Sequence, residues 1–90
     1  MRRGIIAGNW KMHKGPADAA DLAAELVHDI KSPSVDVVLA PPSVSLSAVG
    51  KVLDETPIAL AAQNVHDQSS GAFTGEISAD MLLEVGCTYV

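Results

Sequence analysis

Aromatic side chains are nearly missing from this chain: one tryptophan, one tyrosine and one phenylalanine among 90 residues. Positive charge is scarce too, with six Lys and Arg against eleven Asp and Glu, for a net charge of −5 and no basic cluster. Nucleic-acid surfaces combine basic patches with aromatic stacking partners, so no nucleic-acid partner is expected. A single cysteine, Cys87, excludes an internal disulfide and fits a reducing compartment. No apolar run approaches the roughly 20 residues that span a bilayer. The stretch behind Arg2-Arg3 stops at Asn9, short of a secretory signal. No membrane partner is expected, and the predicted location is cytoplasmic.

What is present is regular. Apolar content is 48%, enough for one core, and 90 residues make a single domain at most. Apolar, β-branched runs begin near Ile5, Val35, Ile58 and Thr88. Between the first two, residues 17–31 place Leu22, Ala23, Leu26, Val27 and Ile30 on one helical face and Asp18, Asp21, Glu25 and Asp29 on the other. Pro16 suits the first helical position. A second helix follows Pro41-Pro42, with Leu46, Val49 and Leu53 facing inward and Pro57 ending it. Gly50 within it costs about 1 kcal/mol relative to alanine, so that helix must lean on its packing. A short third helix over 78–85 carries Met81, Leu82 and Val85 and closes at Gly86.

The runs 35–40 and 58–62 are almost continuously apolar, the pattern of strands buried on both faces of a parallel sheet with helical crossovers. The order is β-α-β-α-β-α-β, an α/β class fold in one domain over residues 1–90. The last run, Cys87-Thr88-Tyr89-Val90, begins a strand that the chain does not complete.

Two segments carry chemistry. Ile5-Ile6-Ala7-Gly8-Asn9-Trp10-Lys11-Met12 begins as a buried strand and ends by presenting an amide and an ammonium. A charge set where an apolar strand stops requires water or an anion, and α/β folds bind ligands at the carboxyl ends of their strands. Position alone favours an ordinary surface lysine in a strand-to-helix loop. The second segment is the polar connection of residues 63–77, longer than a crossover needs and of the kind that is often functional. Its tip, Gly71-Ala72-Phe73-Thr74-Gly75-Glu76, holds the only phenylalanine. Either Phe73 is displayed to a partner's pocket or it folds back beneath its own loop. His13, His28 and His66 are read as solvated surface residues, not spaced as metal ligands.

Ala7-Gly8-Asn9-Trp10-Lys11-Met12 resembles the first-strand signature of the triosephosphate isomerase family. Leu39-Ala40-Pro41-Pro42 fits its second strand and Ala61-Ala62-Gln63-Asn64-Val65 its third. Gly71-Ala72-Phe73-Thr74-Gly75-Glu76-Ile77-Ser78 is similar to its intersubunit loop, and Gly86-Cys87-Thr88-Tyr89-Val90 to the start of its fourth strand. The match runs from Ile5 to Val90 in register. The resemblance implies a (β/α)8 TIM barrel, of which this chain is an N-terminal partial barrel ending inside the fourth strand. It also implies a homodimer and interconversion of dihydroxyacetone phosphate and glyceraldehyde 3-phosphate, in glycolysis and gluconeogenesis. Neither cofactor nor metal is implied.

By the same resemblance Lys11 is the catalytic cation beside the substrate's oxygens and phosphate, and Asn9 binds with it and holds it in place. Gln63 and Asn64, at the end of the third strand, are candidates to support them from behind, with ordinary turn amides as the alternative. Phe73, Thr74, Gly75 and Glu76 form the dimer interface. The family's glutamate base and neutral histidine belong to segments beyond Val90, so the chain alone is expected to be inactive. The partner is then a triose phosphate together with a complementing C-terminal fragment or second subunit. Two alternatives stay open: a Schiff-base lysine of an aldolase-like barrel, and a non-catalytic assembly piece associating through residues 63–77 and its open strand edges.

Overall fold

The computed structural model describes residues 2–90. Strand β1 is Ile5–Asn9, β2 is Asp36–Ala40, β3 is Ile58–Ala61 and β4 is Cys87–Tyr89; helix α1 is Pro16–Asp29, α2 is Leu46–Leu53 and α3 is Ala79–Glu84. A short 3₁₀ turn, Ser43–Ser45, leads into α2. The four strands lie side by side in sequence order, and every neighbouring pair is parallel. Each parallel step needs a crossover, and each crossover carries one helix. Among the described residues no helix is long and apolar enough to cross a membrane.

The register explains the layers. Gly8, Leu39, Leu60 and Cys87 form one row across the sheet. The last three pack in one cluster with Ala19 and Ala23 of α1, Leu46, Val49 and Leu53 of α2, and Leu82 of α3. The helices therefore cover the face to which that row points. Side chains alternate along a strand, so Ala7, Val38 and Ala59, the next row, point to the opposite face, and none of them belongs to the cluster packed by the helices.

Expectation and structure part company at β1. Ile5 and Ile6, predicted to be buried, are 56% and 63% exposed. They face opposite sides of the sheet, so β1 is open on both faces as well as along its outer edge. Burial of an edge strand depends on neighbours that an apolar pattern does not specify. The chain exposes 6122 Å², against about 5,000 Å² for a compact monomer of its 9.3 kDa mass.

Helix boundaries shift for identifiable reasons. In α1 the fully buried residues are the small pair Ala19 and Ala23, one turn apart; Leu22, Leu26, Val27 and Ile30 are partly covered at its flanks. Helix α2 ends at Leu53, ahead of Pro57. Glu55 turns left-handed at φ 60°, and the Thr56 hydroxyl donates to the Leu53 carbonyl at 2.7 Å, so a side-chain cap terminates the helix before the proline is reached. Ser78 caps α3, its hydroxyl accepting from the Met81 amide at 3.2 Å, a contact worth about 1 kcal/mol. Met81, expected to face inward, is half exposed, and Leu82 alone is fully buried from that helix. Cys87 is buried, and burial pushes its thiol above the ordinary value, which keeps it protonated and unreactive.

Candidate functional site

Polar groups gather where β1, β2 and β3 end. Pairing between β1 and β2 continues one step past Asn9, because the Trp10 amide donates to the Ala40 carbonyl at 3.0 Å. The chain then turns sharply. Lys11 has φ 54°, a left-handed conformation that crowds any residue carrying a Cβ. Asn9 offsets this cost: its Oδ1 accepts from the Lys11 amide at 2.9 Å, forming an Asx-turn that a short side-chain carbonyl can make.

Gln63 completes the arrangement from two residues past β3. Its Nε2 donates to the Lys11 carbonyl and to the Ala40 carbonyl, both at 2.9 Å. An amide nitrogen has two protons, and both are spent here. Both partners are acceptors, so the orientation of the amide is fixed chemically. One side chain therefore ties the ends of three strands, and Lys11 has both its backbone amide and its carbonyl held. Its side chain is exposed, and among the described residues it takes no part in the Arg3–Asp36 ion pair or in the histidine–carboxylate contacts His28–Asp29 and His66–Asp67. The charge at this rim is not neutralised by a neighbouring carboxylate, and an incoming anion would meet a donor whose backbone is already in place.

Asn9, Lys11 and Gln63 thus come together. Asn64 adjoins them without bonding to them: it is exposed and, with Gln63, Ser43, Leu46 and Gly75, lines a cleft of about 140 Å³. Its side chain makes no hydrogen bond among those present in the described residues. Sequence reasoning missed Ser45, whose buried hydroxyl donates to the Lys14 carbonyl at 2.6 Å. A small polar residue after a Pro-Pro turn carries no signal of such a reach.

The 63–77 connection projects from the same end. Its base is closed by the His66 amide donating to the Ile77 carbonyl at 2.8 Å. Its tip is a turn in which the Glu76 amide donates to the Phe73 carbonyl at 3.0 Å. Gly75, at φ 87°, occupies the third position of that turn, where a positive φ is required. Phe73 lies between the two expected states: it is 45% exposed, yet its ring rests on His66 with centroids 4.2 Å apart. A Cβ at Gly71 would come within 2.6 Å of that ring, so glycine lets the loop fold over it. His66 is therefore not the solvated residue expected; its side chain is three-quarters covered, and Nε2 is buried without a hydrogen bond. Thr74, Gly75 and Glu76 are all exposed.

Parallel strands in sequence order, helices on one face, and polar groups concentrated at the carboxyl ends define a segment of a (β/α) barrel. Comparison with known proteins agrees. The family model described as triosephosphate isomerase matches residues 4–90. Triosephosphate isomerase of Caldanaerobacter subterraneus subsp. tengcongensis is 52% identical over the whole of this chain, and that of Thermoanaerobacter pseudethanolicus 50%. The crystal structure of triosephosphate isomerase from Bartonella henselae superposes with a TM-score of 0.85 at 36% identity, over 96% of this chain and 35% of that one. The chain belongs to the triosephosphate isomerase family, and it spans 36% of the length of those two relatives.

Proposed function

We propose that this chain supplies the opening βα units of a triosephosphate isomerase, interconverting dihydroxyacetone phosphate and glyceraldehyde 3-phosphate in cytoplasmic glycolysis and gluconeogenesis. The observation that carries the reading is the clamped backbone of Lys11, bonded by Asn9 and Gln63 at the carboxyl end of β1. In the family's mechanism a glutamate removes a proton beside the carbonyl while a neutral histidine polarises the oxygens, giving an enediolate. Within this chain, Lys11 faces the developing negative charge and the phosphate, and Asn9 fixes the turn from which it projects. A prepositioned cation in a site from which water is excluded stabilises the transition state without reorganising. The glutamate and histidine fall outside the matched segment, so residues 1–90 alone have no isomerase activity.

Complementation tests this. The purified chain is expected to give turnover indistinguishable from buffer, and to gain it when a polypeptide carrying the remaining βα units is added. Turnover by the chain alone contradicts the inactivity; no gain on addition contradicts the proposed role.

A second reading is favoured by one observation, the aromatic ring half exposed at the loop tip. Phe73 through Glu76 then form a subunit contact, whether or not catalysis follows. Exposed aromatic anchors commonly dominate such interfaces. Phe73→Asp is expected to reduce the mass of the assembled species seen by light scattering to that of single units; an unchanged mass removes the loop from the interface.

A further inference from the structure

The loop after β1 contains two left-handed lysines, Lys11 at φ 54° and Lys14 at φ 78°. Residues with a Cβ persist in that region only where their surroundings over-determine them. The Lys11 carbonyl is held by Gln63. The Lys14 carbonyl is held by Ser45, at 2.6 Å and across 31 positions of sequence. The two side chains come from different βα units, one following β3 and the other following β2.

Ser45 is unusual for its position. It sits immediately before α2, where a serine hydroxyl ordinarily accepts from the first helical amides. Here it makes no such bond. Entering α2 through the 3₁₀ turn, Ser45 has φ −104° and ψ −3° in place of the extended backbone from which a cap hydroxyl reaches the second and third helical amides. The hydroxyl is left to donate elsewhere, and it is fully buried at 0% exposure. A side chain that departs from its local preference while completely enclosed marks a place where the fold serves the site.

We infer that Ser45 is a positioning residue for Lys11. By holding Lys14 in its left-handed turn it fixes the far end of residues 11–14, as Gln63 fixes the near end. Together the two straps set the direction in which Lys11 leaves the strand. The inference rests on the reading of Lys11 as the substrate-facing cation, but its conformational half can be measured apart from any activity.

The test is NMR on the isotope-labelled whole chain. Ser45→Ala is expected to abolish the left-handed backbone shift pattern at Lys14 and to displace the Lys11 backbone and Cε resonances, leaving those of β2 and β3 in place. Adding Lys14→Gly to Ser45→Ala is expected to restore the Lys11 resonances, because glycine adopts the turn without a strap. Lost core packing at position 45 would not be repaired in that way. Should Ser45→Ala not fold, Lys14→Val at an exposed site is expected to displace Lys11 with the core untouched, since a β-branched residue resists positive φ. Lys11 resonances that stay put in the folded variants, or that glycine does not restore, overturn the inference. In the completed barrel, turnover about tenfold lower in Ser45→Ala and recovered with Lys14→Gly supports it, and unchanged turnover refutes it. An assembly without turnover counts against the isomerase reading alone, and the NMR comparison still judges the strap.

Discussion

Replacing Lys11 by methionine is expected to lower the turnover of the completed barrel by about three orders of magnitude. The estimate is electrostatic. A unit charge about 4 Å from a developing oxyanion gains roughly 4 kcal/mol at an effective dielectric near 20. If that gain is confined to the transition state, it converts to about a thousandfold in rate. Methionine keeps the length and apolar stem of the side chain and removes only the charge. The backbone clamp is expected to survive, because Asn9 and Gln63 bond to the Lys11 main chain and not to its side chain. Steady-state kinetics check the result: kcat falls with the charge, whereas a merely structural lysine would leave kcat within a few-fold. Arginine should not fully restore the rate, since a planar fork cannot follow charge between two oxygens as a compact ammonium can.

The inner face of α2 was legible because Leu46, Val49 and Leu53 repeat at helical spacing, and all three are buried. The parallel order followed from apolar runs too uniform for a half-wet sheet and from connections long enough to cross over. Where reading failed, the cause was distant in sequence. Ile5 and Ile6 look like core because apolar content says nothing about whether a neighbour exists. Ala19 carries too weak an apolar signal to stand out, although its small size lets α1 pack closely against α2. The motif around Asn9 and Lys11 was visible at once, and Gln63 was named beside it as a supporting residue, but Ser45, 31 positions from the lysine it holds, was not. It is a short polar residue after a Pro-Pro turn, where a solvent-facing role is the ordinary expectation. The reach of His66 to Phe73 was hidden in the same way, since only the fold of the loop brings ring to ring.

Gly50 shows how a local rule can give the wrong sign. Helix propensity alone makes Gly50→Ala stabilising by about 1 kcal/mol. In the structure α2 passes against the turn between α3 and β4, and a Cβ at position 50 would collide with the Val85 carbonyl oxygen and press on Leu60 Cδ2 at 3.3 Å. Backbone cannot rotate aside as a side chain can, so α2 would have to lift from β3 and disturb Val49 and Leu53. Overpacking of this kind costs about 1–3 kcal/mol, which outweighs the propensity gain. Gly50→Ala is therefore expected to destabilise the chain by up to about 2 kcal/mol net of that gain, lowering its urea midpoint by up to roughly 1 M at slopes usual for small domains. Ser47→Ala, at an exposed position of the same helix, serves as the control and should raise the midpoint slightly, because propensity acts there without a clash. A higher midpoint for both variants would mean that α2 does not approach the Val85 carbonyl closely. Opposite signs from two alanines three residues apart would locate the contact at that glycine.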